Sequence, residues 1–347
     1  MIGIGNNLKR NRLLNNLSLK EAGKKLNMSA TAIAKYEKEE IIPDSSKIIQ
    51  FANAYGVKAA QLIKIYNPPQ INFLNFKKKR NLRGKKLELL ESAITEDVCN
   101  YLEVINLNNS EIKPVLKKYQ CNNINDAEDA AISFRKFINI SNIQPVTDLI
   151  NILENIGVII IQLKSTDNKF NDFDGFSEII DSIPFIIIRN NIEDGAKQRF
   201  TIAHELGHLI LNIKDKMIDN EKMCDRFARG LLMPKEAVAK EFGNVRKNVS
   251  FYELIAFKNE YKVSFKNIII RLKELNIISE YTYKKLSIQI SQHINTNNNI
   301  LIPEVSYQYK KLVHKLEINN IITKSKACEL LGISSNEYNE ENYNYWY

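Results

Sequence analysis

Histidine and cysteine are scarce in this 347-residue chain, with four of each. Cys99, Cys121, Cys224 and Cys328 stand far apart, with no Cys-x-x-Cys pair. That spacing argues against a disulfide framework and against a cysteine zinc knuckle. Long apolar runs are also missing. Stretches such as Val158–Ile161 are strand-sized, far short of what a membrane-spanning helix needs. Met1–Asn7 offers no charged segment followed by a hydrophobic stretch and a small-residue cleavage site. A cytoplasmic, reducing location without membrane contact is expected. What the chain does have is an uneven charge. Lys and Arg outnumber Asp and Glu by 49 to 40. Residues 1–90 hold 18 basic against 6 acidic groups, and residues 91–347 hold 31 against 34. A local basic excess marks a polyanion-binding segment rather than a generally basic protein.

Residues 4–66 read as short helices. Leu8, Leu13 and Leu14 begin the first. Ser18 is placed to cap a helix over Leu19–Leu26, with Glu21 completing a capping box. Asn27 tolerates the left-handed conformation of a tight turn, and Ser29 can cap the helix that follows. That helix, Ala30 to about Lys38, turns Ile33 inward and leaves Thr31, Ala32, Lys35 and Tyr36 on or near its outer side. Pro43-Asp44-Ser45 opens a fourth helix, with Ile48, Ile49 and Phe51 expected to face the core, and Val57–Ile63 supplies a fifth.

A helix, a short turn and a second polar helix make the helix-turn-helix, whose second helix enters the major groove. The run from Leu17 through Glu37, followed by Pro43 and Phe51–Val57, resembles the Xre (lambda repressor-like) family. Asn27 stands where Gly is usual, and the Gly usual after Glu37 is absent. The resemblance implies that Ser29, Ala30, Thr31 and Lys35 face double-stranded operator DNA. A helical bundle for dimerisation or protein contact is the plainer alternative. Phe76-Lys77-Lys78-Lys79-Arg80 and Arg83-Gly84-Lys85-Lys86 then form a run that either touches phosphates or is solvated linker. Leu87, Leu90, Ile94, Val98, Leu102 and Ile105 carry helical spacing through Leu87–Lys118.

Further on, helices are expected over Ala127–Phe137 and Pro145–Asn155, a strand over Val158–Leu163, and a hairpin joining Phe176–Ile180 to Pro184–Ile188. A helix from Ala196 to Asn212 carries His204-Glu205-Leu206-Gly207-His208. Histidines four apart share one helical face, so both imidazoles can reach one Zn²⁺. Glu205 is displaced towards the open coordination position, where a carboxylate can act as general base and then acid. Two histidines and a glutamate would be costly in this otherwise apolar helix without a metal. No third histidine follows within ten residues, which excludes the metzincin arrangement; His293 and His314 are remote. Glu221 is the best third ligand. It shares a helical face with Asp225, which would accept from a ligand histidine. Asp219, Asp225 and Cys224 are the other candidates, although Cys224 reads better as a small buried residue beside the site, and the Glu-x-x-x-Asp layout resembles that of gluzincins.

Phe176-Ser177 with its hairpin, Gln198–Ala203 before the motif and the F-A-x-x-L-L-M-P run after it resemble the ImmA/IrrE family of metallopeptidases over residues 125–275. The resemblance implies a zinc endopeptidase that cuts DNA-binding repressors or antitoxin-like partners, with an Xre module in the same chain. An edge strand beside the active-site helix then pairs with substrate, and Phe185, Ile186, Ile187 and Ile188 are the expected pairing residues, an ordinary internal strand being the equally open alternative. The rival reading is a transcriptional regulator whose peptidase-like domain senses metal, ligand or partner, within a toxin–antitoxin or mobile-element module.

After a polar linker over His293–Asn299, two helices are expected over Ser306–Leu316 and Thr323–Leu331; they faintly echo a second helix-turn-helix, but a helical appendage or a surface for the partner is the favoured reading. The expected fold is multidomain and mainly α. An all-α helix-turn-helix bundle (1–67) is followed by a basic helical connector (68–124), an α+β zincin-like peptidase (125–292) and a helical C-terminal tail (300–347). A homodimer is compatible with this organisation.

Overall fold

The computed structural model describes residues 3–64, 69–73, 84–109, 112–163, 172–190, 192, 194–215, 217–294 and 300–344. The basic run over Phe76–Arg80 and Arg83 and the terminal Tyr345–Tyr347 lie outside the described residues. The chain divides into two compact units. One joins Met1–Ser110 to Tyr309–Tyr347, and the other is Glu111–Gln308. This differs from the four sequential segments expected, because the last helices pack with the first unit instead of forming a separate tail.

The first unit opens with α1 (Ile4–Leu14), α2 (Leu19–Leu26), α3 (Ala30–Glu37), α4 (Ser45–Tyr55) and α5 (Ala59–Ile63). The boundaries have local causes. Ser18 and Glu21 exchange side-chain to backbone hydrogen bonds in a capping box. Asn27 sits at φ 53°, ψ 44°, the left-handed conformation that ends α2. Ser29 Oγ accepts from the Ala32 amide and starts α3. Leu8, Ala22, Ile33, Phe51 and Leu62 are fully buried and form the core. Arg12 reaches from α1 to hold both carboxylate oxygens of Glu37 at 2.5 and 2.9 Å. Ile49 departs from expectation at 53% exposure. The inward stripe of α4 runs through Ile48, Phe51, Ala52 and Tyr55, and one residue is about 100° of helical rotation.

Helix α6 (Lys85–Leu107) stops well before the Lys118 expected. Asn109 takes a positive φ of 47°, and Pro114 disfavours helix at the residue before it. Leu90, Ile94, Val98 and Val104 are its fully buried stripe.

The second unit contains β1 (Tyr119–Cys121), α7 (Ile124–Phe137), α8 (Leu149–Asn155), β2 (Ile159–Leu163), β3 (Gly175–Ile180), β4 (Ile183–Arg189) and α9 (Gly195–Ile210). It continues with β5 (Leu211–Ile213), α10 (Asn220–Leu232), α11 (Lys235–Phe242), α12 (Phe251–Tyr261), α13 (Phe265–Glu274) and α14 (Glu280–Ile294). Its three-stranded sheet has the order β2-β4-β3, with β2 parallel and β3 antiparallel to β4. Asp181 and Ser182, at φ 48° and 66°, make the two-residue hairpin turn whose twist suits paired strands. Strand β5 pairs in parallel with β1.

This topology corrects one expectation. Phe185–Ile188 belong to β4, the central strand, and their side chains are fully buried. The backbone of a central strand is committed to neighbours on both sides, so it has no ladder to offer a substrate. The strand at the edge beside α9 is β3.

Residues 300–307 run across the second unit as an irregular strap. Leu301 O accepts from the Gly195 amide. The Glu304 carboxylate pairs with Arg199 and accepts from the Ile150 amide at 2.9 Å. The backbone of Glu304 bonds to Gln198 and Gln162. The chain then enters α15 (Gln308–Ile318), α16 (Lys324–Leu331) and α17 (Ser335–Asn344). Val313, Leu316, Ala327, Leu331 and Tyr338 form a core with Val104 of α6.

Candidate metal centre and nucleic-acid interface

Helix α9 begins at Asp194, whose carboxylate accepts from the Ala196 amide. It presents His204 and His208 on one face, their Nε2 atoms 3.2 Å apart. Helix α10 crosses close by. A Cβ built on Gly207 would lie 3.2 Å from Cys224 Cα, so only glycine permits this approach without displacement. The crossing brings Glu221 into place. Its Oε2 lies 3.3 Å from His204 Nε2, and its Oε1 lies 3.4 Å from His208 Nε2.

The donor atoms fit a small tetrahedral cation. Zinc bonds of about 2.0–2.1 Å at tetrahedral angles put neighbouring donors about 3.3–3.4 Å apart. His204, His208 and Glu221 form a group with metal-binding potential among the described residues. The outer ring nitrogens are already engaged, as a metal site requires. His204 Nδ1 lies 2.8 Å from Asp225 Oδ1. His208 Nδ1 lies 3.4 Å from Cys224 Sγ, which itself reaches Asn220 Oδ1 at 3.7 Å. Asp225 is braced from behind by Arg229 at 3.6 Å, and Arg229 is held by Glu274 at 2.8 Å.

Electrostatics agree with this geometry. Burial works against charge on His204, but hydrogen bonds to Asp225 and Glu221 prevail and push its pKa up to about 9. Hydrogen bonds from both histidines hold Glu221 far below the usual carboxylate range. Burial pushes the Cys224 thiol up, so it is a neutral group beside His208. Glu205, one residue past His204, is buried, and Ser177 Oγ of β3 donates to its Oε2 at 2.8 Å. Gly175 makes room for it, since a Cβ there would lie 2.9 Å from Glu205 Cγ.

The alternative third ligands are accounted for elsewhere. Asp219 caps α10 through the Lys222 amide, Asp225 is on the outer side of His204, and Cys224 is on the outer side of His208. Sequence reasoning did not find the Ser177–Glu205 contact, the Cys224–His208 contact or the Arg199–Glu304 pair. A serine, a cysteine and a glutamate 28, 16 and 105 residues from their partners carry no local signal. His314 lies in the first unit with Tyr338 OH 2.9 Å from its Nδ1.

In the N-terminal module, Ser29, Thr31 and Lys35 are exposed along α3 and Ala30 is half-buried. Lys20, Lys24, Lys25 and Lys38 are also exposed on or beside α2 and α3, so the outer side of the helix pair is rich in lysine.

Comparisons with known proteins agree with this division. The model for the IrrE N-terminal-like domain (peptidase M78) matches residues 154–273, and a helix-turn-helix model matches residues 8–62. No curated protein matches the chain at a significant level. A solved structure, Bacillus thuringiensis PlcR in complex with the peptide PapR7 and DNA, aligns at 11% identity over 93% of this chain and all of that one. Its TM-score is 0.19, a likeness that carries no argument. The chain joins an N-terminal helix-turn-helix DNA-binding domain of Xre type to a peptidase M78 domain of the ImmA/IrrE family.

Proposed function

We propose that this protein is a DNA-binding zinc endopeptidase that cleaves a partner repressor or antitoxin-like DNA-binding protein. The observation that carries the reading is the convergence of His204 Nε2, His208 Nε2 and the Glu221 carboxylate at 3.2–3.4 Å, with buried Glu205 beside them. These three residues would hold the zinc, which supplies Lewis acidity and lowers the pKa of a bound water. Glu205 takes the proton of the attacking water and passes it to the departing amine. Ser177 fixes one carboxylate oxygen and so sets the direction of the other. Asp225 keeps His204 in the tautomer that leaves Nε2 free, and Cys224 does the same more weakly for His208.

Strand β3 supplies the edge for an extended substrate chain, beginning at Gly175 beside Glu205. Ser29, Ala30, Thr31 and Lys35 hold the enzyme on operator DNA, where a repressor substrate is concentrated. The test is co-expression with the DNA-binding product of an adjacent gene, comparing wild type with Glu205→Gln. Cleavage is expected only with Glu205, alongside one zinc per chain that is lost in His204→Ala. Equal cleavage by both proteins, or none with stoichiometric zinc, overturns the reading in favour of a metal-sensing regulator.

A further inference from the structure

The C-terminal helices repeat the N-terminal helix-turn-helix at a constant offset of 305 residues. Ser18 caps α2 through the Glu21 amide at 3.2 Å, and Thr323 caps α16 through the Lys326 amide at 3.2 Å. Both helices have eight residues. Each ends on a left-handed residue, Asn27 at φ 53° and Gly332 at φ 65°. The turn amide of Met28 reaches Gly23 O at 2.8 Å, as that of Ile333 reaches Cys328 O at 3.1 Å. Ser29 and Ser334 then cap the second helix through the amides of Ala32 and Glu337 at 3.0 and 3.2 Å. The buried positions match as well. Ala22 corresponds to Ala327 and Ile33 to Tyr338, all of them core residues. A similar turn joins α12 to α13 at Lys262, but there the first helix has eleven residues, so the register is not shared.

The charge, in contrast, is not repeated. The five exposed lysines of the first motif, at 20, 24, 25, 35 and 38, correspond to Ser325, Glu329, Leu330, Glu340 and Tyr343. Helix α17 carries Glu337, Glu340 and Glu341 and no basic residue. Ser335, Asn336, Glu337, Asn339 and Glu340 are exposed on it. A reading helix of this charge is repelled by phosphate, which removes the sequence-independent attraction that DNA binding starts from. The same scaffold is suited to a lysine-rich protein surface instead.

We propose that residues 323–344 form a second helix-turn-helix that docks on a protein, and that its occupant is the lysine-rich α2–α3 face of a second copy of this chain. Charge complementarity selects this occupant: the acidic second helix of one motif would meet the basic reading surface of the other. Self-association then competes with DNA for α2–α3, and it weakens as salt screens the contact.

The test uses the full chain in analytical ultracentrifugation at about 50 and about 300 mM salt, with and without a 30-bp mixed-sequence duplex. Self-association is expected at low salt, with loss at high salt and dissociation on addition of the duplex. Glu340→Lys and Lys35→Glu should each weaken it by about five- to tenfold, a range common for interfacial charges. The combined K35E/E340K chain should recover most of the wild-type association. Thermal unfolding of Glu340→Lys should match wild type, since the side chain is exposed. A monomer at low salt overturns the proposal, whether or not α17 then binds some other protein or the duplex. So does association that ignores salt, or additive losses in the combined variant.

Discussion

Replacing Glu304 with alanine tests whether the strap belongs to the peptidase unit. The Arg199 side chain is 2% exposed, and Glu304 is its carboxylate partner. Without Glu304, the guanidinium keeps the carbonyl of Val146 at 2.5 Å, while its Nε is already without an acceptor. Removing one partner of a buried ion pair costs about 3–5 kcal/mol, because the remaining charge stays desolvated. The Ile150 amide at the start of α8 also loses its acceptor, which adds about 1 kcal/mol. A total of about 4–6 kcal/mol is a large share of the stability of one unit. The expected result in denaturant is early unfolding of the second unit, with hydrogen exchange of α8 and α9 amides accelerating first. Activity should fall with it, since Arg199 lies five residues before His204 on α9. The double variant Arg199→Met/Glu304→Met should lose much less than the two single changes summed, because it leaves no orphaned charge. A loss below about 1 kcal/mol in Glu304→Ala, or full additivity in the double variant, would refute the reasoning.

Glu154 offers a pH test. Burial raises its pKa to about 7 against the hydrogen bond from Ser306. Its folded pKa lies above the ordinary 4.5, so the folded state is favoured while the group is protonated, and that advantage is lost as pH rises from 4.5 through 7. Glu154→Gln should therefore stabilise the second unit at pH 8 by up to about 3 kcal/mol and little at pH 4; equal effects at both pH values would count against it. In the metal-free protein the raised His204 pKa stabilises fully below pH 6.5, and this is lost as pH rises through about 9. Zinc needs the neutral imidazole, so binding at pH 7 should release about one proton and tighten about tenfold per pH unit up to 9. Calorimetry in buffers of different ionisation heat reads this, and buffer-independent heats would exclude it. Ser177→Ala should leave zinc content unchanged and lower kcat by about tenfold through a less well directed Glu205. A fall in zinc content would show that Ser177 supports the fold instead.

Much of the candidate site was legible because it is written within single helices. His204, Glu205 and His208 follow from a four-residue spacing, and the Ser18 and Ser29 caps follow from chemistry acting over three residues. The place of the Phe185–Ile188 strand in the sheet was not legible, for the opposite reason. An apolar run such as Phe185–Ile188 reads the same in a central or an edge strand, and strand order depends on pairings across the sheet. The faint C-terminal motif needed its backbone. Only the left-handed Gly332 and the repeated hydrogen bonds separate it from any pair of short helices.

Most helices, their caps, the basic first module and the His204–His208 spacing are legible in the chain itself, because each is set by interactions within a few residues. Long-range packing sets which carboxylate meets the histidines, which strand lies at the edge, and what steadies Glu205. It also placed Glu304 on Arg199 and the last helices with the first unit. Those outcomes depend on packing between residues far apart in the chain, where burial sets the penalty for an unmatched charge and so selects the partner.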